Sequence, residues 1–285
     1  MDTADYNGLY RLESRSSWND LLELHKTHRE FKSWMFRGQR GTDWPLRSRL
    51  ERALARFSIP MEKARVIEED LLRLFKRHFH RFSPRLPDKK ERVEWFALMQ
   101  HYGAPTRLID WTYSFWAAVF FAIERSEAGQ VPTVWALDPS WVREEARKHL
   151  GIVVRWRIAR DSKAPRTIQA IFDHQGPCVW PVNPYLLNER LAAQQGVFLA
   201  GTDISKPFMA NLAAICQDGT NRPKFMKIEL HLDNANLQEI LSELHRMNIS
   251  RATLFPGFEG FARHVENLIA MPHVFGRADW FTEKM

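Results

Sequence analysis

Ser114-Phe115-Trp116-Ala117-Ala118-Val119-Phe120-Phe121-Ala122-Ile123 is the stretch that decides the fold. Nine apolar residues follow one serine. Wound as a helix they leave no polar side, and a helix that is apolar all round must be buried on every side. The run therefore predicts a central core helix, with Thr112 or Ser114 as its cap.

Just upstream, Leu98-Met99-Gln100-His101-Tyr102-Gly103-Ala104-Pro105-Thr106-Arg107-Leu108-Ile109-Asp110-Trp111-Thr112 sets polar groups between apolar flanks. Polar side chains in such company usually converge on a pocket. A helix is expected from Glu91 to Tyr102, stopped by left-handed Gly103 and by Pro105, with His101 on its last turn. Arg107 to Trp111 reads as a short strand. Further upstream, Trp34-Met35-Phe36 is a short buried strand, broken at Gly38 and Gly41. A glycine directly after Arg37 lets the backbone approach a ligand or another segment closely. Residues 17 to 31 give a helical stripe that leads into this first strand, with Ser16 and Ser17 as candidate caps.

Glu62 to Phe82 has helical spacing of Ala64, Ile67, Leu71, Leu74, Phe75, His78, Phe79 and Phe82. Arg73, Lys76, Arg77, His80 and Arg81 share the other side, either as a solvated face or as a ridge that tracks phosphates. Beyond the core helix, strands are expected at 131–137, 178–182 and 225–232, and helices at 139–150 and 236–247. Asn188 to Phe198 reads as a short helix, a glycine stop and a strand, and Thr253 to Phe261 as a turn into a last helix. Residues 151–176 are expected to be an insertion or a mobile basic segment. With no internal repeat or linker, the simplest reading is one α+β domain of short mixed or antiparallel strands around a buried central helix. Residues 1–33 are its helical lead-in, 34–270 the domain, and 271–285 a tail.

The chain has 285 residues, of which 45% are hydrophobic and 12% aromatic, enough for a substantial core, and 26% are charged. Disorder is excluded on that composition. The net charge of +7 suits RNA or DNA as a polyanionic partner. Cys178 and Cys216 lie far apart and form no CxxC motif, which fits a reducing, cytoplasmic setting. No stretch reaches the length of a membrane span, and the acidic start is unlike a secretory signal, so no membrane partner is expected. There is no GxxxxGK[ST] loop, no GxGxxG fingerprint, no GxSxG elbow and no HExxH or Cys/His cluster, so no metal is expected.

Phe36-Arg37-Gly38, Gln100-His101-Tyr102-Gly103 with Pro105-Thr106-Arg107-Leu108 and Asp110-Trp111-Thr112, Asn188-Glu189-Arg190-Leu191 with Gln194-Gln195-Gly196-Val197-Phe198, and Leu254-Phe255-Pro256 with Glu259-Gly260 resemble, in order, the four signatures of FRG-domain proteins. These are bacterial and phage-associated proteins. An arginine beside a glycine at the end of a first strand is also similar, more loosely, to the opening motif of R-S-E type ADP-ribosyltransferases. That fold binds NAD without a GxGxxG loop.

The second resemblance implies an ADP-ribosyltransferase-like core and transfer of ADP-ribose from NAD to a nucleic-acid or protein acceptor. It implies that Arg37, with Gly38 and Gln39, holds the NAD phosphate or ribose, since guanidinium donates two parallel hydrogen bonds. Tyr102, Thr106 and Arg107 join it on the NAD side, with Thr106 or Thr112 in place of the family's Ser-Thr-Ser strand. The resemblance gives the catalytic acid to Glu189 or Glu259 and places His101 and Gln195 at the chemistry. Gln194 and the ridge residues Arg73 and Arg77 would hold the acceptor. The family's QxE or ExE loop is absent in that form. A toxin or phage-defence role, and a neutralising antitoxin-type partner, follow from the same resemblance.

Each residue also has a plainer role. Arg37 pairs a buried carboxylate such as Asp110, His101 answers its helix C-terminus, Asp110 caps or pairs, and Glu189-Arg190 is a solvated pair. Two other functions fit the same sequence: a non-catalytic nucleic-acid-binding module, and a nuclease, which sparse acid clusters disfavour.

Overall fold

The computed structural model describes residues 6–127, 129–186, 188–216, 224–271 and 274. Among them, β1 (Arg11–Arg15), β2 (Met35–Gln39), β3 (Leu108–Thr112), β4 (Thr133–Leu137), β5 (Val179–Val182), β6 (Gly196–Gly201) and β7 (Phe225–Leu230) join in one sheet. Its order is β1-β7-β4-β2-β3-β6-β5. The β1–β7 pair is parallel and every other pair antiparallel, so the sheet is mixed and the class is α+β.

Side chains alternate across a strand, and both faces are apolar. Phe36, Val134, Ala136, Met226 and Ile228 face one core, shared with the Phe115–Ile123 helix. Met35, Trp135, Leu137 and Phe225 face the other, covered by the Arg92–His101, Pro139–His149 and Pro165–Phe172 helices. The predicted core helix spans those nine residues, seven of them buried, with Ser114 as its cap. Thr112 instead receives the Ser114 amide on its hydroxyl and donates that hydroxyl to the Gln194 carbonyl. Gly38 shows why this helix needs its glycine. A Cβ there would stand 2.1 Å from the Ala118 carbonyl oxygen and 2.5 Å from the Ala122 nitrogen. The segment that approaches is the helix.

Several elements differ from the sequence expectation. Arg11–Arg15 forms an edge strand ahead of the Trp18–Thr27 helix, so the lead-in contributes to the sheet. Its side chains are polar apart from a half-exposed Leu12, and backbone pairing with β7, invisible in composition, holds it. The Ala64–Phe79 helix buries Ala64, Glu68, Leu72 and Phe79, while Leu74 and Phe82 are exposed. The inward stripe is turned because Glu68 goes inside to meet Arg107 and Arg92. Residues 151–176 hold two helices, Ile152–Asp161 and Pro165–Phe172, which send Ile158, Ile168, Ile171 and Phe172 into the core.

The Arg49–Arg56 helix, started by a Ser48–Glu51 capping box, is absent from the sequence expectation although Leu50 and Leu54 stand one turn apart on its buried face. On the last helix, Phe258–Leu268, the buried residues are Gly260 and His264, and Phe258 and Phe261 are exposed. No helix among the described residues is long and apolar enough to cross a membrane.

Candidate functional site

β2 and β3 are joined by a single residue pair, Phe36 with Thr112, whereas β2–β4 and β3–β6 each run for five. The sheet opens there. Where the ladder stops, the Arg37 side chain crosses the gap and donates from Nη1 to the Asp110 carbonyl at 2.7 Å. Its buried Nε has no partner among the described residues. Burial holds this guanidinium below the usual arginine value; Asp110 works against that and Arg52 adds to it.

Two adjoining hollows, of about 180 and 120 Å³, occupy the opening and share Asp110, Arg190 and Gln194. The first is floored by Phe36, Phe121 and Phe255 and edged by Arg37 and Gly38. The second is ringed by Arg49, Arg52, Gln100, His101 and Asn188. Arg49 and Arg52 arrive together because residues three apart share a helix face. That helix docks on the loop before β3 through a hydrogen bond from the Leu50 amide to the Thr106 carbonyl, 3.1 Å. The guanidiniums of Arg49 and Arg190 have no hydrogen-bond or ion-pair partner among the described residues. Asn188 caps the Glu189–Ala193 helix and so sets Arg190 toward the opening. Arg190 lies 4.6 Å over the Phe255 ring, and Arg251, bonded to Glu124, lies 4.3 Å over it. Burial and the neighbours Arg251 and Arg49 lower the Arg190 value, while Asp110 and Glu259 raise it.

Asp110 is the one carboxylate among the lining residues. It is exposed, and Oδ2 accepts from Gln100 Nε2 at 2.9 Å; Gln100 in turn accepts from the Thr106 hydroxyl at 2.7 Å. A carboxylate so held is fixed in orientation and open to a ligand. His101 sits beside it with a buried, unpartnered Nδ1. Burial first, and Arg190 second, push this imidazole below its ordinary value, which favours the neutral form.

Of the residues singled out in the sequence, the opening gathers Arg37, Gly38, His101 and Gln194, whose Nε2 donates to the Leu254 carbonyl at 2.9 Å. Thr106 stands one bond behind it. Arg107 lies elsewhere, sealed against Glu68 with its Nη1 on the Phe172 carbonyl. Arg107 and Asp110 are three positions apart, so in extended chain their side chains face opposite ways, and the buried Glu68 claims the Arg107 guanidinium. Gln39 is buried with its Oε1 receiving the Trp135 indole, and Tyr102 projects into solvent. Gln195 adopts a positive φ of 47° and is exposed. Glu189 is exposed on its short helix, and Glu259 is exposed and paired with Arg263 at 2.8 Å; neither lines the opening. Arg73 and Arg77 line a different hollow.

Sequence reasoning missed Arg49 and Arg52, read Arg190 as half of a solvated pair and took Asp110 as structural. The three-residue spacing of Arg49 and Arg52 was the available signal. No group of three or more His, Cys, Asp or Glu side chains gathers as metal ligands among the described residues.

The fold and opening thus define an α+β domain with an arginine-rimmed groove where its sheet parts. Residues 32–131 match the family model of the FRG domain. The match contains Arg37, His101 and Asp110; the groove residues Arg190, Gln194 and Phe255 lie beyond it. No curated protein matches the chain, and no solved structure does.

Proposed function

We propose that the groove binds NAD and transfers its ADP-ribose to a nucleophilic acceptor. One observation carries the reading: Arg37, Arg49, Arg52 and Arg190 surround a single accessible carboxylate, Asp110. Four guanidiniums against one acid favour a ligand with at least two negative charges, and guanidinium is suited to the paired oxygens of a pyrophosphate. The phenylalanine floor suits a flat ring. Pockets for drug-sized ligands usually start near 300 Å³, so a dinucleotide would occupy both hollows and extend beyond them.

In this reading Asp110 replaces the acid that resemblance had sought at Glu189 or Glu259. The bond between ribose C1′ and the nicotinamide nitrogen breaks, and its electron pair leaves with nicotinamide. The Asp110 carboxylate faces the positive charge that grows on the ribose. An acceptor oxygen or nitrogen bonds C1′ and gives its proton to neutral His101.

The test is calorimetric titration with NAD, together with transfer of label from NAD to RNA, DNA or lysate. The expected result is saturable NAD binding that Arg190→Ala weakens at least tenfold, with transfer cut about 10²–10³-fold in Asp110→Asn. Absence of both binding and transfer overturns the reading. A non-catalytic nucleic-acid-binding module would leave polyanion affinity with no transfer.

A further inference from the structure

A second hollow, of about 1050 Å³, lies between the Ala64–Phe79 helix and the 83–91 loop, against the start of the Arg92–His101 helix. Arg73, Lys76, Arg77, Lys89, Lys90 and Arg92 line it, against the acids Glu69 and Asp88. Residues 73–92 carry eight Lys and Arg and two acids, a net +6 in a chain whose total is +7. Residues 147–166 also carry a net +6, so this is one of two strongly basic stretches, and the one of the two whose cations line a hollow of this size.

Three of these cations are engaged: Arg73 pairs with Asp70 at 3.0 Å, Arg92 with Glu68 at 3.4 Å, and Lys76 with the loop. Lys76 donates to the Lys89 carbonyl at 2.9 Å, which ties the loop to the helix, and stands 5.4 Å over the Trp95 ring. Arg77 and Lys90 are exposed and carry no hydrogen bond or ion pair from their side chains among the described residues. Large apolar groups are exposed in the same region: Phe82 at 80%, Tyr102 at 64% and Leu86 at 49%. Tyr102 packs on Phe79, 5.8 Å between ring centroids. Free cations interleaved with exposed rings are what a single strand uses, charge along its backbone and stacking under its bases. Phe82 follows the Ala64–Phe79 helix and Tyr102 caps the Arg92–His101 helix, so the exposed rings stand at the ends of the two helices that form the hollow, and such a surface suits a flexible strand better than a stiff duplex.

One helix connects this hollow to the groove. Arg92 and Trp95 line the hollow; Gln100 and His101 line the groove. At 1.5 Å per residue, Arg92 and Gln100 are roughly 12 Å apart along the axis. That is a reach of a few nucleotides.

We infer that this hollow binds single-stranded nucleic acid and presents the strand as the acceptor at the groove. Its role as acceptor site rests on the ADP-ribosyl-transfer reading; its binding of the strand does not.

The experiment is fluorescence anisotropy of the full chain with a labelled 12-nucleotide RNA and DNA, between 50 and 200 mM salt and without NAD. About five phosphate contacts give a slope near −3.5 in log affinity against log salt, roughly a 100-fold loss across that range. The double variant Arg77→Glu/Lys90→Glu is expected to bind at least tenfold more weakly with a shallower slope. Lys26→Glu/Arg29→Glu makes the same charge change at exposed positions around the Trp18–Thr27 helix, which packs on the opposite core, and is expected to bind within twofold of the parent.

No binding at 50 mM salt, equal loss in both double variants, or a duplex bound as tightly as the strand overturns the inference. Strand binding without NAD binding sinks only the enzyme reading. NAD binding without strand binding sinks only this one.

Discussion

Replacing Gly38 by alanine tests whether this glycine serves the scaffold or the ligand. The added Cβ would lie 2.1 Å from the Ala118 oxygen and 2.5 Å from the Ala122 nitrogen, both of them backbone atoms of the core helix. Normal contact needs about 1 Å more at the closer atom, and no side chain can swing aside to supply it. The helix, with seven buried residues, must move off the sheet as a body. A gap of 0.5–1 Å forfeits a quarter to a half of each dispersion contact across it. Overpacking of this kind costs about 3 kcal/mol, toward the top of the usual range. Equilibrium urea unfolding is the assay, with Gly8→Ala as control, since a Cβ at Gly8 meets nothing within 4 Å. A loss under about 1 kcal/mol for Gly38→Ala, with ligand binding abolished, would refute the scaffold argument.

Further outcomes follow from the same geometry. Glu68→Gln leaves Arg107 and Arg92 facing an uncharged partner in the core and is expected to cost about 3–5 kcal/mol, while Glu68→Leu/Arg107→Met recovers most of it; urea midpoints decide. Asp110→Asn is expected to keep NAD affinity and reduce transfer 10²–10³-fold, by order of magnitude, while Glu189→Gln and Glu259→Gln stay within about twofold. The reverse pattern in label-transfer rates would return the acid to those positions. Burial, helped by Lys32, Arg190 and His245 respectively, lowers His25, His101 and His264 below their ordinary 6.5. The unfolded chain then takes up protons that the folded one refuses, so stability is full above pH 6.5 and falls as pH drops through the folded values. Replacing all three by glutamine is expected to flatten the fall in urea midpoint between pH 7.5 and 5; an unchanged slope counts against the sign.

What could be read from the chain depended on how local its cause was. The Phe115–Ile123 helix, the stop at Gly103 with φ 82° and the cap at Ser114 are set by neighbours in sequence. Arg11–Arg15 was hidden because its partner lies more than two hundred residues away and only backbone atoms meet. Glu68 was hidden because an acid inside a helix contradicts its apolar pattern until Arg92 and Arg107 are placed against it. In the groove, Arg37 and His101 stood out by motif. Arg49, Arg52 and Arg190 are ordinary helical arginines that become a cluster only once a turn and two short helices bring them together.

Neighbouring strands elsewhere in this sheet are stitched along their whole length, but β2 and β3 share one rung and a side-chain tether. One hydrophobic core still runs under both half-sheets and holds them together, so the tether acts only at the opening. The mouth of the groove is gauged by a rotamer of Arg37, not by the ladder. A guest that claims this guanidinium competes for it with the Asp110 carbonyl.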